Sequence, residues 1–182
     1  LAIAKEGTLN ISRNGSLLVG YNKSSFAELR IKGTLKTLCK SHIGRNNAKS
    51  EVIVDGGLWD ASKSSIRMSQ YSREGFETES NLNIINGGKV VADRIEMIHD
   101  MSKITLESGS LIVKALKIGG EDGQAIVEHT KGKIKVDLLV FGENSQYNFS
   151  GKGSELLIKG EYTLERLKSL RHATWLVNKE PL

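Results

Sequence analysis

Short runs of alternating apolar and polar residues recur along this chain, and each ends in glycine. The series opens with Leu29-Arg30-Ile31-Lys32-Gly33 and Val52-Ile53-Val54-Asp55-Gly56-Gly57. It continues through Leu82-Asn83-Ile84-Ile85-Asn86-Gly87-Gly88 and Ile104-Thr105-Leu106-Glu107-Ser108-Gly109. Val127-Glu128-His129-Thr130-Lys131-Gly132 and Tyr147-Asn148-Phe149-Ser150-Gly151-Lys152-Gly153 close it. A period of two is the signature of a strand with two unlike faces. The marker glycines stand at 33, 57, 88, 109, 132 and 153, so the steps are 24, 31, 21, 23 and 21 residues. A recurring step of this length predicts stacked supersecondary units.

The residues after each marker sharpen the expectation. Two positions on stand Leu35, Trp59, Val90, Leu111 and Ile134, and four positions on stand Thr37, Ala61, Ala92, Val113 and Val136. Both slots share one strand face and are expected to point inward. Lys36, Asp60, Val91, Ile112 and Lys135 lie between them and are expected to point outward. A third run closes each unit, as in Ile66-Arg67-Met68-Ser69, Ile95-Glu96-Met97-Ile98 and Leu138-Leu139-Val140-Phe141-Gly142. Each rung is therefore expected to hold three short strands. A sandwich also uses short strands and regular turns, but an inward slot at a constant offset favours a solenoid. The predicted fold is all-β: a single-stranded parallel β-solenoid (β-helix) of six to seven rungs, each of 21–24 residues, over residues 1–160.

Residues 161–182 break the pattern and are expected to form a C-terminal cap. Thr163-Leu164-Glu165-Arg166-Leu167-Lys168-Ser169-Leu170-Arg171 spaces its leucines by three behind a threonine, which predicts a short amphipathic helix with an N-cap. Such a helix would cover an open end of the stack. Trp175-Leu176-Val177 predicts a final strand, and Pro181 ends the order.

The stretches 52–62 and 82–92 carry the repeat most clearly, and over roughly residues 7–160 the pattern resembles a known group. It is similar to the right-handed parallel β-helix of pectin-lyase-like proteins. It is more similar to the glycine-punctuated β-strand repeats of bacterial secreted and surface proteins, including autotransporter passengers. The resemblance implies an extracellular or cell-surface setting and contact with carbohydrate. It does not choose among adhesins, enzymes and scaffolds, which share such repeats.

Composition changes this picture little. Nineteen glycines against one proline suit frequent turns, and 38% hydrophobic residues suffice where each rung buries a narrow strip. The formal charge of +5 is dispersed rather than gathered in a basic block, so a nucleic-acid partner is not expected. The single Cys39 excludes an internal disulfide, and no apolar run approaches a membrane span. The chain starts in mid-pattern at Leu1-Ala2-Ile3-Ala4, which reads as an excised domain or a processed chain.

Candidate chemistry is sparse. His42, His99, His129 and His172 share no metal-ligand spacing, and His129 occupies a slot that holds Val54 and Leu106 in other rungs. It is expected to be partly buried and hydrogen-bonded. Cys39 has no partner arrangement for nucleophilic catalysis, and no Gly-x-Ser-x-Gly elbow occurs. Asp60 and Asp93 are the carboxylates that neighbouring rungs could bring together, with a solvated pair expected rather than a glycosidase pair. Glu121-Asp122-Gly123 occurs once, unlike the acidic turn of a calcium solenoid. No catalytic residue, metal or cofactor is expected.

Trp59 falls in an inward slot and is expected in the core. The step of 31 residues contains an insertion around Ser69–Ser80, and insertions in repeat folds map to loops that often bind. Tyr71, Arg73 and Phe76 within it are the expected ligand contacts, with rings against sugar C–H faces and Arg73 on a hydroxyl or acidic group. The expected function is a non-catalytic extracellular or surface module that contacts a polysaccharide or cell-surface glycan or is attached to a larger glycan-active protein. Neighbouring domains or a homo-oligomer are compatible with it. The alternatives are a structural spacer or adhesin segment without a small ligand, and a lyase or glycoside hydrolase acting on acidic polysaccharide.

Overall fold

The computed structural model describes residues 1–22, 26–46, 48–70, 78–98, 101–119, 124–142, 145–149, 153–159, 173–177 and 180–181. The first nine strands are β1 (Ala2–Ile3), β2 (Thr8–Ile11), β3 (Leu17–Val19), β4 (Phe26–Ile31), β5 (Thr34–Thr37), β6 (Ser41–Arg45), β7 (Lys49–Asp55), β8 (Leu58–Gln70) and β9 (Glu79–Ile85). There follow β10 (Gly88–Met97), β11 (Met101–Leu106), β12 (Gly109–Ile118), β13 (Ala125–His129), β14 (Gly132–Phe141), β15 (Ser145–Phe149), β16 (Ser154–Ile158), β17 (Ala173–Val177) and β18 (Glu180–Pro181). No helix occurs among the described residues.

The strands form a parallel solenoid of about six turns. One sheet runs β1-β4-β7-β9-β11-β13-β15-β17-β18, and the other runs β16-β14-β12-β10-β8-β5-β2 with β3 and β6 alongside β8. Every pairing among the described residues is parallel except β17 with β18. The alternating runs explain the columns that result. Leu35, Trp59, Val90, Leu111 and Ile134 stack in register and are fully buried, as the slot analysis expects. Leu29, Val52, Leu82, Ile104, Val127 and Tyr147 form a matching column in the other sheet. Burial of each such side chain contributes roughly 1.5–3 kcal/mol, set against the entropy of ordering it.

The marker glycines have a steric reason. A Cβ on Gly57 would stand 2.6 Å from the carbonyl oxygens of Gly33 and Ile31, and one on Gly109 would collide with the oxygen of Gly88. Successive corners therefore approach backbone to backbone, tied by Leu58 N–H to Gly33 O at 2.8 Å and Lys89 N–H to Gly57 O at 2.8 Å.

The expectation of three short strands per rung needs correction in the later rungs. In β10, β12 and β14 the second and third runs form one continuous strand that turns a corner at a single residue: Asp93, Lys114 or Asp137. A one-residue corner acts like a bulge, bending the strand while pairing resumes on both sides. In β8 the corner holds three residues, 62–64, since Ala61 pairs with Ala92 and Ser65 with Arg94. In the first two rungs the runs separate into β2 and β3, and into β5 and β6.

Trp175-Leu176-Val177 does form strand, as a segment of β17 beside β15, but it is not the final one: Pro181 does not end the order and, in β18, pairs with Leu176. The helix expected over 163–171 lies outside the described residues.

Candidate functional site

The widened corner opens a groove of about 430 Å³ on the outer side of β2, β5 and β8. Asn10, Ile11 and Ser12 line it from the first rung, Lys36, Thr37 and Leu38 from the second, and Asp60, Ser62 and Lys63 from the third. Its volume falls in the range of roughly 300–1,000 Å³ common for small-ligand sites. Asn10, Lys36 and Asp60 stand directly opposite one another on neighbouring strands, so three outward polar groups form a row about 4.8 Å apart. Leu38, 45% exposed, and Ile11 supply apolar surface beside them.

The floor is fixed from inside. The Trp59 Nε1–H donates to Thr37 Oγ1 at 3.1 Å, and Ser64 Oγ donates to the Thr37 carbonyl at 2.8 Å. A fully buried indole and its polar partners hold the strand ends at the corner. Above the floor, Asp60 Oδ1 accepts the Ser62 N–H at 3.1 Å. Hydrogen bonds from Ser62, then the charges of Lys36 and Lys63, hold the Asp60 carboxyl below its ordinary value of 3.8. Asp60 is thus an anion at neutral pH, flanked by two cations.

Elsewhere several outward polar groups pair with one another. Asn83 Nδ2 donates to Glu51 Oε1 at 2.6 Å, and Asn148 Nδ2 to Glu128 Oε1 at 2.8 Å, along the outer face of the first sheet. Asp55 accepts from Asn86 at 2.7 Å and Arg30 at 3.1 Å, which lowers its pKa, Asn86 being the larger influence. Lys114 meets Asp93 at 2.7 Å, and Arg67 meets Glu96 at 2.8 Å.

The residues singled out in the sequence fare differently. Trp59 is core. His129 is fully buried, with Nδ1 3.0 Å from the Tyr147 hydroxyl and Nε2 2.9 Å from the Gly132 carbonyl. Cys39 is a buried free thiol. Asp60 and Asp93 each hold their own partner, Ser62 and Lys114, and form no carboxylate pair. Tyr71, Arg73 and Phe76 lie outside the described residues. The bases of their insertion are described: Ser69, at φ 51°, donates its N–H to Ser80 Oγ at 3.0 Å, and Ser80 Oγ donates to the Ile43 carbonyl at 2.6 Å.

The groove itself escaped the sequence reading. Its signal is a length difference: three residues lie between Ala61 and Ser65, where one lies between Ala92 and Arg94. Among the described residues no group of His, Cys, Asp or Glu could hold a metal ion. No helix among them is long and apolar enough to cross a membrane. No family model, curated protein or solved structure matches this chain significantly.

Proposed function

We propose that this chain is a non-catalytic β-solenoid module that contacts carbohydrate, in an extracellular or cell-surface setting. One observation carries the reading. The corner groove lies where the first three rungs space their strand runs more widely than the one-residue corners of β10, β12 and β14, and it combines apolar surface at Ile11 and Leu38 with hydroxyl, amide and charged groups. Sugars present the same combination, C–H faces edged by hydroxyls. The resemblance to pectin-lyase-like and surface-protein repeats supports the same direction. Asp60 is the one carboxylate among the groove's described lining residues, whereas glycoside hydrolysis on the usual plan needs two.

The test is a titration of the 182-residue chain with neutral and acidic oligosaccharides, followed by backbone amide shifts. Shifts at residues 10–12, 36–38 and 60–63 are expected. Turnover of any polysaccharide would refute the non-catalytic claim. Tyr71→Ala with Phe76→Ala measures the insertion as a second contact surface: binding that survives this double substitution removes it from the site. A structural spacer is the competing reading, favoured by the uniform one-residue corners of β10, β12 and β14. It predicts no shift with any saccharide.

A further inference from the structure

From the groove's charge arrangement we infer that it selects saccharides bearing one isolated anionic group, over neutral sugars and over densely charged polyanions. The inference rests on the carbohydrate reading above. Lys36 projects from the middle of β5 between Asn10 and Asp60, and Lys63 from the widened corner of β8. Neither lysine forms a direct ion pair with a described residue, and the two line the same groove. Their ammonium groups therefore keep donors for an incoming anion.

Asp60 sets the limit. Two lysines and one ionised carboxylate give the groove lining a net charge of one positive unit. A single carboxylate or sulfate on a sugar neutralises it. A second anion on the same or the next unit meets Asp60 and is repelled. A neutral sugar leaves the groove's one net positive charge uncompensated. Like-charge exclusion of this kind is a source of specificity distinct from attraction. Ser62 contributes by position: its N–H donates to Asp60 Oδ1 at 3.1 Å and fixes the carboxylate within the groove lining.

The experiment compares three probes by calorimetry and amide shifts: a neutral glucan tetrasaccharide, a hyaluronan tetrasaccharide and a heparin tetrasaccharide. Hyaluronan alternates charged and neutral units and is expected to bind tightest, shifting residues 36–38 and 60–63. Lys36→Gln and Lys63→Gln are each expected to weaken it about fivefold, with an unchanged melting temperature because both side chains lie outside the core. Asp60→Asn is expected to reverse the order in favour of heparin. Equal binding of the neutral glucan at these amides, or no effect of either lysine substitution, overturns the charge selection and leaves the carbohydrate reading standing. Heparin binding wild type as tightly as it binds Asp60→Asn removes the role of Asp60 and overturns the inference. Absence of amide shifts with all three probes overturns both readings together.

Discussion

Trp59 joins the core to the groove at the scale of one residue. Its ring fills the column between Leu35 and Val90, and its N–H is the donor that holds Thr37. Trp59→Ala is expected to cost about 3–5 kcal/mol in chemical denaturation, since the cavity cannot refill from rigid neighbouring rungs. His129 allows a second prediction. A carbonyl oxygen only accepts, so Nε2 carries the proton toward Gly132, and Nδ1 accepts from the Tyr147 hydroxyl. Burial pushes the imidazole below its ordinary 6.5, more than the Gly132 carbonyl raises it. The unfolded chain then takes up a proton at higher pH than the folded one. The stabilisation is complete above the ordinary value and is lost as pH falls through the folded value. Denaturation midpoints measured downward from pH 6.5 should fall more steeply for the wild type than for His129→Leu. Parallel curves would show that this site does not contribute to acid sensitivity.

Elements are joined here by corners, and each corner has its own chemistry. At Gly33, Gly57, Gly88, Gly109 and Gly132 the marker corner requires glycine because backbone meets backbone. Gly109→Ala places a methyl against the Gly88 carbonyl at φ 113° and is expected to destabilise by about 3 kcal/mol or more. Within β6, Gly44 faces Ser80, whose hydroxyl bridges Ser69 N–H and Ile43 O. Ser80→Ala leaves both buried groups without that partner, and a loss of about 1–3 kcal/mol is expected by thermal or urea melts. Lys114→Ala removes an exposed ion pair at the outer corner and should barely move the same melt. An equal effect of these two substitutions would contradict the distinction between buried and exposed contacts.

The whole molecule behaves as a one-dimensional stack, in which each rung is stabilised by the rungs on either side. Central strands β8, β10 and β12 have neighbours on both edges, whereas β1, β2 and β3 have one. Hydrogen exchange should therefore be slowest in β8, β10 and β12 and faster in β1–β3. Uniform protection along the chain would mean that the stack opens as one unit. Parallel pairing also joins residues more than twenty positions apart, as in Gly88 with Gly109, so folding is expected on the slow, millisecond-to-second scale.

The repeat along the chain dictates the stack. Alternation decides which side chains face inward, and glycine marks where backbones must touch, so Leu35, Trp59, Val90, Leu111 and Ile134 are identifiable as one column from the repeat alone. Both signals are local and repeat, and each copy corroborates the others. His129 is legible for the same reason, as a polar residue in an apolar slot. The groove is not legible, because it arises from the difference between a three-residue corner in β8 and a one-residue corner in β10. That difference acquires meaning only when the rungs are laid in register. The offsets from the marker glycines place Lys36 and Asp60 in one outward column, but they do not show that Lys63 joins them at the corner. Columns follow from periodicity along the chain; a site made across columns depends on how departures from that periodicity line up in space.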